Sequence, residues 1–446
     1  MHLLYSVALL FYVLALLPVV AYKRLRHGKA VGRLTDRLGW LPGAINPGHA
    51  RSIWIHAVSV GEVLAAGSLL HDLRQAYPAH RLLLSTTTAT GQDVAEQLGS
   101  AVDGVFYAPL DIPPFVARSL DRIAPDLVIF VDTEIWPNWL RDCRRRGVKT
   151  VIVNGRISDR SLRGYRLGRP FMKRVLGDLD HVCAQTEAWG LRFVDLGLPP
   201  DRLSVTGSLK FDALDVMSTG ADLHVGDRAL RFFAFAEDRP VLVAASTLRG
   251  EEEPVLQAFR RIRESADDAV LILAPRHPER AEEALNLASR YGFDVSMRTA
   301  LSIENTAAPD VVVVDTIGEL PRLFQLATLV FVGGSLVPAG GHNILEPAVF
   351  GKPIVFGPHM SNFSEIASLF VDQSAALQVS SPNALAEALS ALLADPVRRA
   401  SLGAAAKALV EANKGARFKT LKIFADILPP GARDPEGTVR TLRAVP

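Results

Sequence analysis

Cysteine is nearly absent from this chain of 446 residues, which contains only Cys143 and Cys183. Two cysteines in a chain of this length exclude a disulfide framework and are typical of a reducing compartment. The sequence also lacks a Cys/His cluster with the spacing of a zinc site. The fold must therefore be stabilised by apolar packing, and the length predicts two cores rather than one.

The chain also lacks an excess of charge of one sign. Its 49 Lys and Arg residues nearly balance its 47 Asp and Glu residues, for a formal net charge of +2. Nucleic-acid-binding proteins usually show a basic excess, so we expect no nucleic-acid partner. Basic residues are concentrated in residues 141–174. That segment is either a solvated helix face or a patch facing anionic lipid or a phosphorylated acceptor.

Charged residues are missing from residues 1–22, where Leu, Val, Ala, Phe and Tyr dominate. About 20 apolar residues in a helix span the hydrocarbon core of a bilayer. The basic residues 23–29 follow, and positive charge on that side indicates the cytoplasm. A cleaved signal peptide is the alternative, but no Lys or Arg precedes the apolar run. We therefore expect an uncleaved transmembrane anchor over residues 1–22, with the remainder of the chain on the cytoplasmic face.

Short apolar stretches alternate with amphipathic ones along most of the remaining chain. Strands that are apolar throughout and separated by helices form a parallel sheet covered on both faces. The pattern predicts two α/β domains, residues 34–212 and 238–413, with ligands at the carboxyl ends of the strands. The expected strands are 53–57, 82–85, 105–107, 127–131, 151–154 and 181–184 in the first domain, and 241–245, 269–274, 311–314, 329–332, 354–356 and the candidate 294–297 in the second.

A glycine-rich stretch, residues 333–341, follows a predicted strand and precedes a predicted helix over residues 344–350. A glycine turn beside a helix N-terminus presents unpaired N–H groups to an anion, most often phosphate. Glu346, one turn into that helix, would accept two hydroxyls of a ribose. The alternative is a βαβ turn whose glycines serve close packing, since G-x-G-x-x-G is absent. The missing fingerprint also argues against a dehydrogenase.

Polar residues follow the strands of the first domain. Glu62 begins a helix beside Gly61, where a carboxylate can take a proton from a hydroxyl. The alternative is a Glu that stabilises the helix dipole, worth under about 1 kcal/mol. Asp132 and Glu134 form a possible metal pair, but on a continued strand they would point to opposite faces. We therefore favour a structural or acceptor-binding role for these two residues.

The second domain also carries polar residues at its strand ends. Arg276 follows the strand 269–274, where its fork of donors suits a phosphate. His277 either caps a helix that begins at Pro278 or contacts the ligand.

Seven segments, taken together and in this order, resemble one known family. They are HAVSVGE (56–62), DTEIWPN (132–138), NGRIS (154–158), GSLKFD (207–212), PRHPER (275–280), GGSLVPAGGHNILEPA (333–348) and GPHMSNF (357–363). The family is that of the bacterial 3-deoxy-D-manno-octulosonic acid (Kdo) transferases of lipopolysaccharide synthesis. The similarity extends from the apolar N-terminal segment to about residue 413.

The resemblance implies a GT-B glycosyltransferase, in which two Rossmann-like domains face a cleft, at the cytoplasmic face of the inner membrane. It implies transfer of Kdo from CMP-Kdo to the tetraacyl lipid A precursor (lipid IV-A), with inversion at the anomeric carbon and without a metal or another cofactor. Anionic lipid of the inner membrane is the further expected partner.

The resemblance also assigns roles to residues. Glu62 matches the catalytic base of the family. Lys210 is a candidate partner of the Kdo carboxylate, from its position and charge. One departure is Ala339, where some relatives carry a basic residue. The implied nucleotide contacts are Pro275, Arg276, His277, Ile317, Gly318, Glu319, Asn343, Ile344, Leu345 and Glu346, and the further candidates for donor or acceptor contacts are Ser59, Gly61, Glu134, Arg156 and Lys210.

Two other functions stay open. The first is a GT-B glycosyltransferase that uses a different nucleotide sugar. The second is a membrane-tethered nucleotide-binding protein without catalysis. The anchor and the basic segment favour a lipid acceptor, which argues against a nucleotide-sugar epimerase.

Overall fold

Apolar stretches form parallel strands in both halves of the chain. The computed structural model describes residues 1–27, 33–212, 230–303 and 308–429, without the side chains of Leu14 and of residues 16–27. The chain divides into two units, Met1–Ala213 with Lys414–Pro446, and Leu214–Asn413. Each contains a seven-stranded sheet. The prediction of two parallel α/β sheets is confirmed, whereas the cleft between the domains stays a prediction.

The sheet of the first unit runs in the order β3-β2-β1-β4-β5-β6-β7, with every neighbouring pair parallel. Chain order reverses between β1 and β4, which is the position where such sheets bind ligands. The short edge strand β7 was not predicted, because three partly exposed residues give no apolar pattern. The strands are β1 (Ser52–His56), β2 (Arg81–Thr86), β3 (Gly104–Tyr107), β4 (Pro125–Val131), β5 (Lys149–Gly155), β6 (His181–Ala184) and β7 (Leu203–Val205).

Helices cover both faces of this sheet. Alternate residues of one strand point to opposite faces, so Trp54 packs in one buried cluster while Ile53 and Ile55 pack in another. Two separate cores explain why the strands are apolar throughout. The helices are α1 (His2–His27), α2 (Leu34–Arg37), α3 (Val60–Ala76), α4 (Ala89–Gln97), α5 (Pro113–Ile123), α6 (Pro137–Arg146), α7 (Asp159–Leu167), α8 (Arg169–Leu176) and α9 (Glu187–Asp195).

The sheet of the second unit runs in the order β10-β11-β9-β8-β12-β13-β14, again entirely parallel. Its chain order reverses between β8 and β12. The two-residue strand β14 was not predicted. The strands are β8 (Val241–Thr247), β9 (Val270–Pro275), β10 (Val295–Met297), β11 (Val311–Val313), β12 (Leu329–Val332), β13 (Ile354–Phe356) and β14 (Leu377–Gln378).

The last described helix returns the chain to the first unit. Asp212 accepts hydrogen bonds from the backbone N–H groups of Gly415 and Arg417, and Phe424 is fully buried in the first unit's core. The sequence pattern did not indicate this return, because the contacts join residues about 200 positions apart. The remaining helices are α10 (Glu252–Arg263), α11 (Ala281–Arg290), α12 (Leu320–Leu323), α13 (Leu345–Val349), α14 (Ser364–Asp372), α15 (Pro382–Ala394), α16 (Pro396–Asn413) and α17 (Ala416–Ile427).

The start of α1 lies against the first unit. Ser6 hydrogen-bonds the side chain of Asn138 at the beginning of α6, and the ring of Tyr5 lies 5.8 Å from that of Phe171. Within the described part of the chain, no helix combines the length and the apolar character needed to cross a membrane. Much of the expected anchor has side chains outside the described residues, so the anchor stays a prediction.

Candidate functional site

Glu62 lies in the first turn of α3, directly after β1 and therefore beside the switch point of the first sheet. The backbone N–H of Val58 donates to its Oε2 at 2.7 Å, and the hydroxyl of Ser59 donates to its Oε1 at 2.8 Å. These two bonds fix the orientation of the carboxylate. Each carboxylate oxygen accepts more than one hydrogen bond, so both keep capacity for a substrate hydroxyl.

Burial raises the pKa of Glu62 above its usual value, and repulsion from Asp132 acts in the same direction. Hydrogen bonds from Ser59 and Val58 and the charge of Arg156 oppose this rise. A carboxylate with a raised pKa holds a proton more strongly, which suits a general base near neutral pH. A Cβ placed on Gly61 would meet no atom within 4 Å, so the helix start is open beside Glu62.

Glu134 follows β4, on the other side of the same switch point. Burial raises its pKa to about 7, and repulsion from the Glu62 carboxylate is the next largest cause. The indole N–H of Trp136 donates to Glu134 Oε2 at 2.8 Å and opposes the rise. His56 Nε2 lies 3.9 Å from the same oxygen. Burial lowers the pKa of His56 to about 3, so this ring is neutral and supplies no counter-charge.

Asp132 and Asn154 hold the loops around these carboxylates. Both have left-handed backbones, with φ of 64° and 56°, which is uncommon for residues other than glycine. The Asn154 amide donates to one oxygen of Asp132, and Arg156 Nε donates to the other at 3.1 Å. Asn154 Oδ1 accepts the N–H of Leu209 at 3.1 Å, next to Lys210. Asp132 thus ties the loops after β4 and β5 together, and the choice between a structural and an acceptor-binding role stays a prediction.

Glu251, which the sequence pattern did not indicate, occupies the switch point of the second sheet. Its carboxylate is fully buried. Oε2 accepts the backbone N–H groups of Leu248 and Gly334 at 2.9 and 2.6 Å. Oε1 accepts those of Ser335 and Leu336, each at 2.9 Å. Leu248 follows β8 and the other three follow β12, so one side chain joins the two central strand ends.

The backbone N–H groups of residues 334–336 donate to Glu251, so in this structure they are not available to a phosphate. The neighbouring glycines serve close packing, as the alternative interpretation expected. A Cβ on Gly334 would come within 2.6 Å of the His342 ring, and one on Gly341 within 2.2 Å of Met360 Sδ. The predicted phosphate contacts are therefore limited to the C-terminal end of the glycine-rich stretch and to Arg276.

Asn343 and Glu346 lie at that end. The Asn343 amide donates to Glu346 Oε1 at 3.1 Å, and its carbonyl oxygen accepts the N–H of Leu345 at 3.1 Å. Burial raises the pKa of Glu346, while Asn343 and the charge of Arg276 oppose the rise. Arg276 is therefore close enough to Glu346 for its charge to lower the pKa of that carboxyl. Ile344 is buried, so it can offer only its backbone to a ligand.

Arg298, also not indicated by the sequence, holds the loop of residues 317–319, which are among the implied nucleotide contacts. Its Nη2 donates to Glu319 Oε1 at 2.9 Å, its Nε lies 2.8 Å from Oε2, and Thr316 donates to Oε2 at 2.8 Å. The carboxylate of Glu319 is thus fully engaged. Ile317 is exposed and Gly318 has a φ of 86°, so this loop presents backbone rather than carboxylate.

Known proteins are similar to this chain in sequence or in fold. The family described as 3-deoxy-D-manno-octulosonic-acid transferase (kdotransferase) matches residues 32–213. The protein named 3-deoxy-D-manno-octulosonic acid transferase from Haemophilus influenzae is 35% identical over 89% of this chain and 91% of its own. The protein of the same name from Bordetella pertussis is 35% identical over 85% of this chain and 88% of its own.

The chain belongs to the Kdo transferase family. Members of this family are glycosyltransferases, so the prediction of an enzyme of that class is confirmed. A solved UDP-GlcNAc 2-epimerase from Neisseria meningitidis, bound to UDP-GlcNAc, is 13% identical. It covers 85% of this chain and 99% of its own with a TM-score of 0.56, which shows a shared GT-B-like fold.

The structure of this Kdo transferase family member brings several of the site candidates together within each unit. In the first unit, the loops after β1, β4 and β5 bring together Ser59, Glu62, Glu134 and Arg156, and Leu209 ties the segment of Lys210 to them. In the second unit, Arg276 is coupled to Glu346 and His342. Pro275 is buried at the end of β9, whereas His277 is exposed and lies 3.9 Å from Glu279. The assigned roles of these residues stay predictions.

Proposed function

We propose that this chain transfers Kdo from CMP-Kdo to the tetraacyl lipid A precursor (lipid IV-A), inverting the anomeric carbon and using Glu62 as the general base. The observation that carries the proposal is the Glu62 carboxylate, oriented by Val58 and Ser59 at a switch point beside a second, repelling carboxylate. Family membership supports Kdo as the transferred sugar.

The reaction moves one proton and exchanges one bond. An acceptor hydroxyl attacks C2 of Kdo, the bond from C2 to the phosphate oxygen of CMP breaks, and the hydroxyl proton passes to Glu62. Positive charge develops on the sugar ring in an oxocarbenium-like transition state. Carboxylates held at a fixed place stabilise such a charge, so the repulsion between Glu62 and Glu134 would be relieved as the transition state forms.

CMP is the leaving group, and its phosphate gains negative charge as the bond breaks. Arg276 and the amide of Asn343 would donate hydrogen bonds to that phosphate. Glu346 would bind the ribose hydroxyls, and the backbone of residues 317–319 would bind the cytosine edge. A monophosphate carries less charge than a diphosphate, so fixed donors can serve in place of a divalent ion. Lys210 would pair with the Kdo carboxylate.

The same proposal places the enzyme at the cytoplasmic face of the inner membrane. Residues 1–22 carry no charged side chain, and residues 23–29 are basic. Leu3, Leu4 and Phe11 expose most of their apolar surface on α1, which supports contact with lipid. Extraction of membranes with carbonate should leave the full-length chain in the pellet and release a chain that begins at residue 33. Release of both would contradict the anchor.

Mass spectrometry of the product tests the activity. Purified full-length enzyme is incubated with CMP-Kdo and lipid IV-A, and the acceptor should gain the mass of one or more Kdo residues with release of CMP. No mass gain from CMP-Kdo, with a gain from a UDP-sugar, would indicate the alternative GT-B transferase. Binding of CMP without any product would indicate the non-catalytic alternative.

A further inference from the structure

Arg37, the last residue of α2, lies at the carboxyl edge of the first sheet. Its Nη2 donates to the backbone carbonyl of Thr87, in the loop after β2, at 2.7 Å. Its guanidinium carbon lies 5.0 Å from the centroid of the Tyr107 ring, at the end of β3. A residue on a four-residue helix outside the sheet is therefore held at the edge where parallel sheets bind ligands.

The charge of Arg37 has no carboxylate partner within ion-pair distance among the described residues. Its Nε is buried and makes no hydrogen bond. The neighbouring Asp36 accepts the N–H of Tyr107 on its Oδ2 at 3.3 Å, and its charge acts on Arg37 without a direct ion pair. Withdrawing a charged group from water is costly unless an opposite charge compensates. A half-buried guanidinium with no carboxylate within ion-pair distance is suited to an anion that is supplied by a ligand.

Arg37 is connected to the candidate base by two short steps. The N–H groups of Thr87 and Thr88 both donate to the carbonyl of Val58, at 3.3 and 3.2 Å. The N–H of Val58 in turn donates to Glu62 Oε2 at 2.7 Å. The loop that holds the guanidinium thus also holds the peptide that orients the carboxylate.

The basic segment 141–174 differs from Arg37 in this respect. Arg146 is paired with Asp121 and Asp142, and Arg166 with Asp195. These side chains are exposed or partly exposed and already carry opposite charges nearby. Their charges are compensated by these acids, whereas the half-buried Arg37 has no carboxylate within ion-pair distance in the described part of the chain.

We propose that Arg37 binds a phosphomonoester of the acceptor sugar and so places the attacking hydroxyl at Glu62. The inference rests on the proposed function, since it concerns the acceptor of that reaction. A guanidinium offers two parallel N–H donors to a phosphate, which an ammonium does not. The stacked Tyr107 ring fixes the plane of that fork.

The test compares two acceptors with three variants in detergent micelles. The acceptors are lipid IV-A and the same lipid after complete removal of its phosphates by a phosphatase. The variants are Arg37→Gln, Arg37→Lys and Arg118→Gln. Arg118 is the matched control, because it also stacks on an aromatic ring (Trp40, 5.1 Å) and donates to a backbone carbonyl (Leu38) but is exposed.

Arg37→Gln should raise the KM for lipid IV-A about tenfold or more, because a charge-assisted bond to phosphate is lost. It should leave the KM for CMP-Kdo and the kinetics with the dephosphorylated lipid unchanged. The KM of Arg37→Lys for lipid IV-A should lie between those of Arg37→Gln and the wild type. The KM of Arg118→Gln should equal that of the wild type. Thermal unfolding of each variant reports any loss of folding separately.

Equal losses on both acceptors would overturn the inference, because they would show that Arg37 only supports the loop of Thr87. An unchanged KM for lipid IV-A would overturn it as well. Failure of the proposed function looks different, since the wild-type enzyme would then give no product with either lipid.

Discussion

The two sheets place carboxylates at equivalent positions but treat them in opposite ways. At the switch point of the second sheet, Glu251 is fully buried and accepts four backbone N–H groups, so its charge is compensated. At that of the first sheet, Glu62 and Glu134 are half-buried, repel each other and have raised pKa values. A carboxylate whose charge is compensated by four N–H donors stabilises the fold. A carboxylate that is repelled by a second one binds a proton more readily and is available for proton transfer.

The same contrast extends to the neighbouring acids. Glu252 is paired with Arg280 at 2.8 Å, and Glu319 is held by Arg298. In the first unit, His56 lies 3.9 Å from Glu134 but is neutral, so it gives no such pairing. Raised pKa values cluster at functional sites, and two carboxylates with raised pKa values repel each other in the first unit, so we expect the proton-transfer chemistry there.

The largest expected effect separates a catalytic Glu from a helix-capping one. Glu62→Gln should lower kcat by about 100-fold to 10,000-fold, because a general base is lost, while CMP affinity is unchanged. The control is Glu187→Gln, an exposed Glu in the first turn of α9, which should have wild-type kcat. A kcat of Glu62→Gln near the wild-type value would show that Glu62 only stabilises the helix. The two sheets would then not differ in the way proposed.

Glu251→Ala tests the scaffold side of the comparison. The substitution leaves four buried N–H groups without an acceptor, so the free energy of unfolding should fall by about 3 kcal/mol or more. Chemical denaturation measures the change. Glu253→Ala, an exposed residue two positions along the chain, should cost less than about 1 kcal/mol. Similar losses in both variants would show that the four bonds contribute little.

Glu134→Gln tests the effect of the raised pKa on stability. Between the usual pKa of Glu and about 7, the folded protein holds a proton that the unfolded chain has lost. This group therefore lowers the wild-type unfolding free energy as the pH rises from 5 to 7.5. Glu134→Gln has no such titrating group. The unfolding free energy of the variant minus that of the wild type should therefore rise by about 1 to 2 kcal/mol between pH 5 and 7.5.

Asp111, whose pKa burial also raises to about 7, contributes equally to both proteins and cancels in the difference. Denaturation curves recorded at intervals of half a pH unit give the comparison. A constant difference between the two proteins would mean that Glu134 does not titrate in this window.

The smallest expected effect concerns the Arg298 pair. Arg298→Lys keeps the charge but loses the fork that holds Glu319, so the loop of residues 317–319 should be less ordered. CMP affinity should fall about threefold to tenfold by calorimetry, with no change in the KM for the acceptor. Arg290→Lys, at the exposed end of α11, serves as control. Unchanged CMP affinity would mean that the pair does not support the nucleotide loop.

The sequence by itself determined the two parallel sheets and Glu62 as a candidate base. Strands buried on both faces leave unbroken apolar runs, and polar residues directly after them mark the ligand edge, so local pattern was sufficient. The strands β7 and β14 were missed because two or three partly exposed residues carry no such pattern.

Only the tertiary structure decided which polar groups compensate each other. Glu251 meets amides more than 80 positions away, Arg298 meets Glu319 across 21 positions, and Arg37 meets Thr87 across 50. Nothing in the residues around Glu251 distinguishes it from Glu252 or Glu253. Charge compensation depends on distance and burial in three dimensions, and chain order records neither.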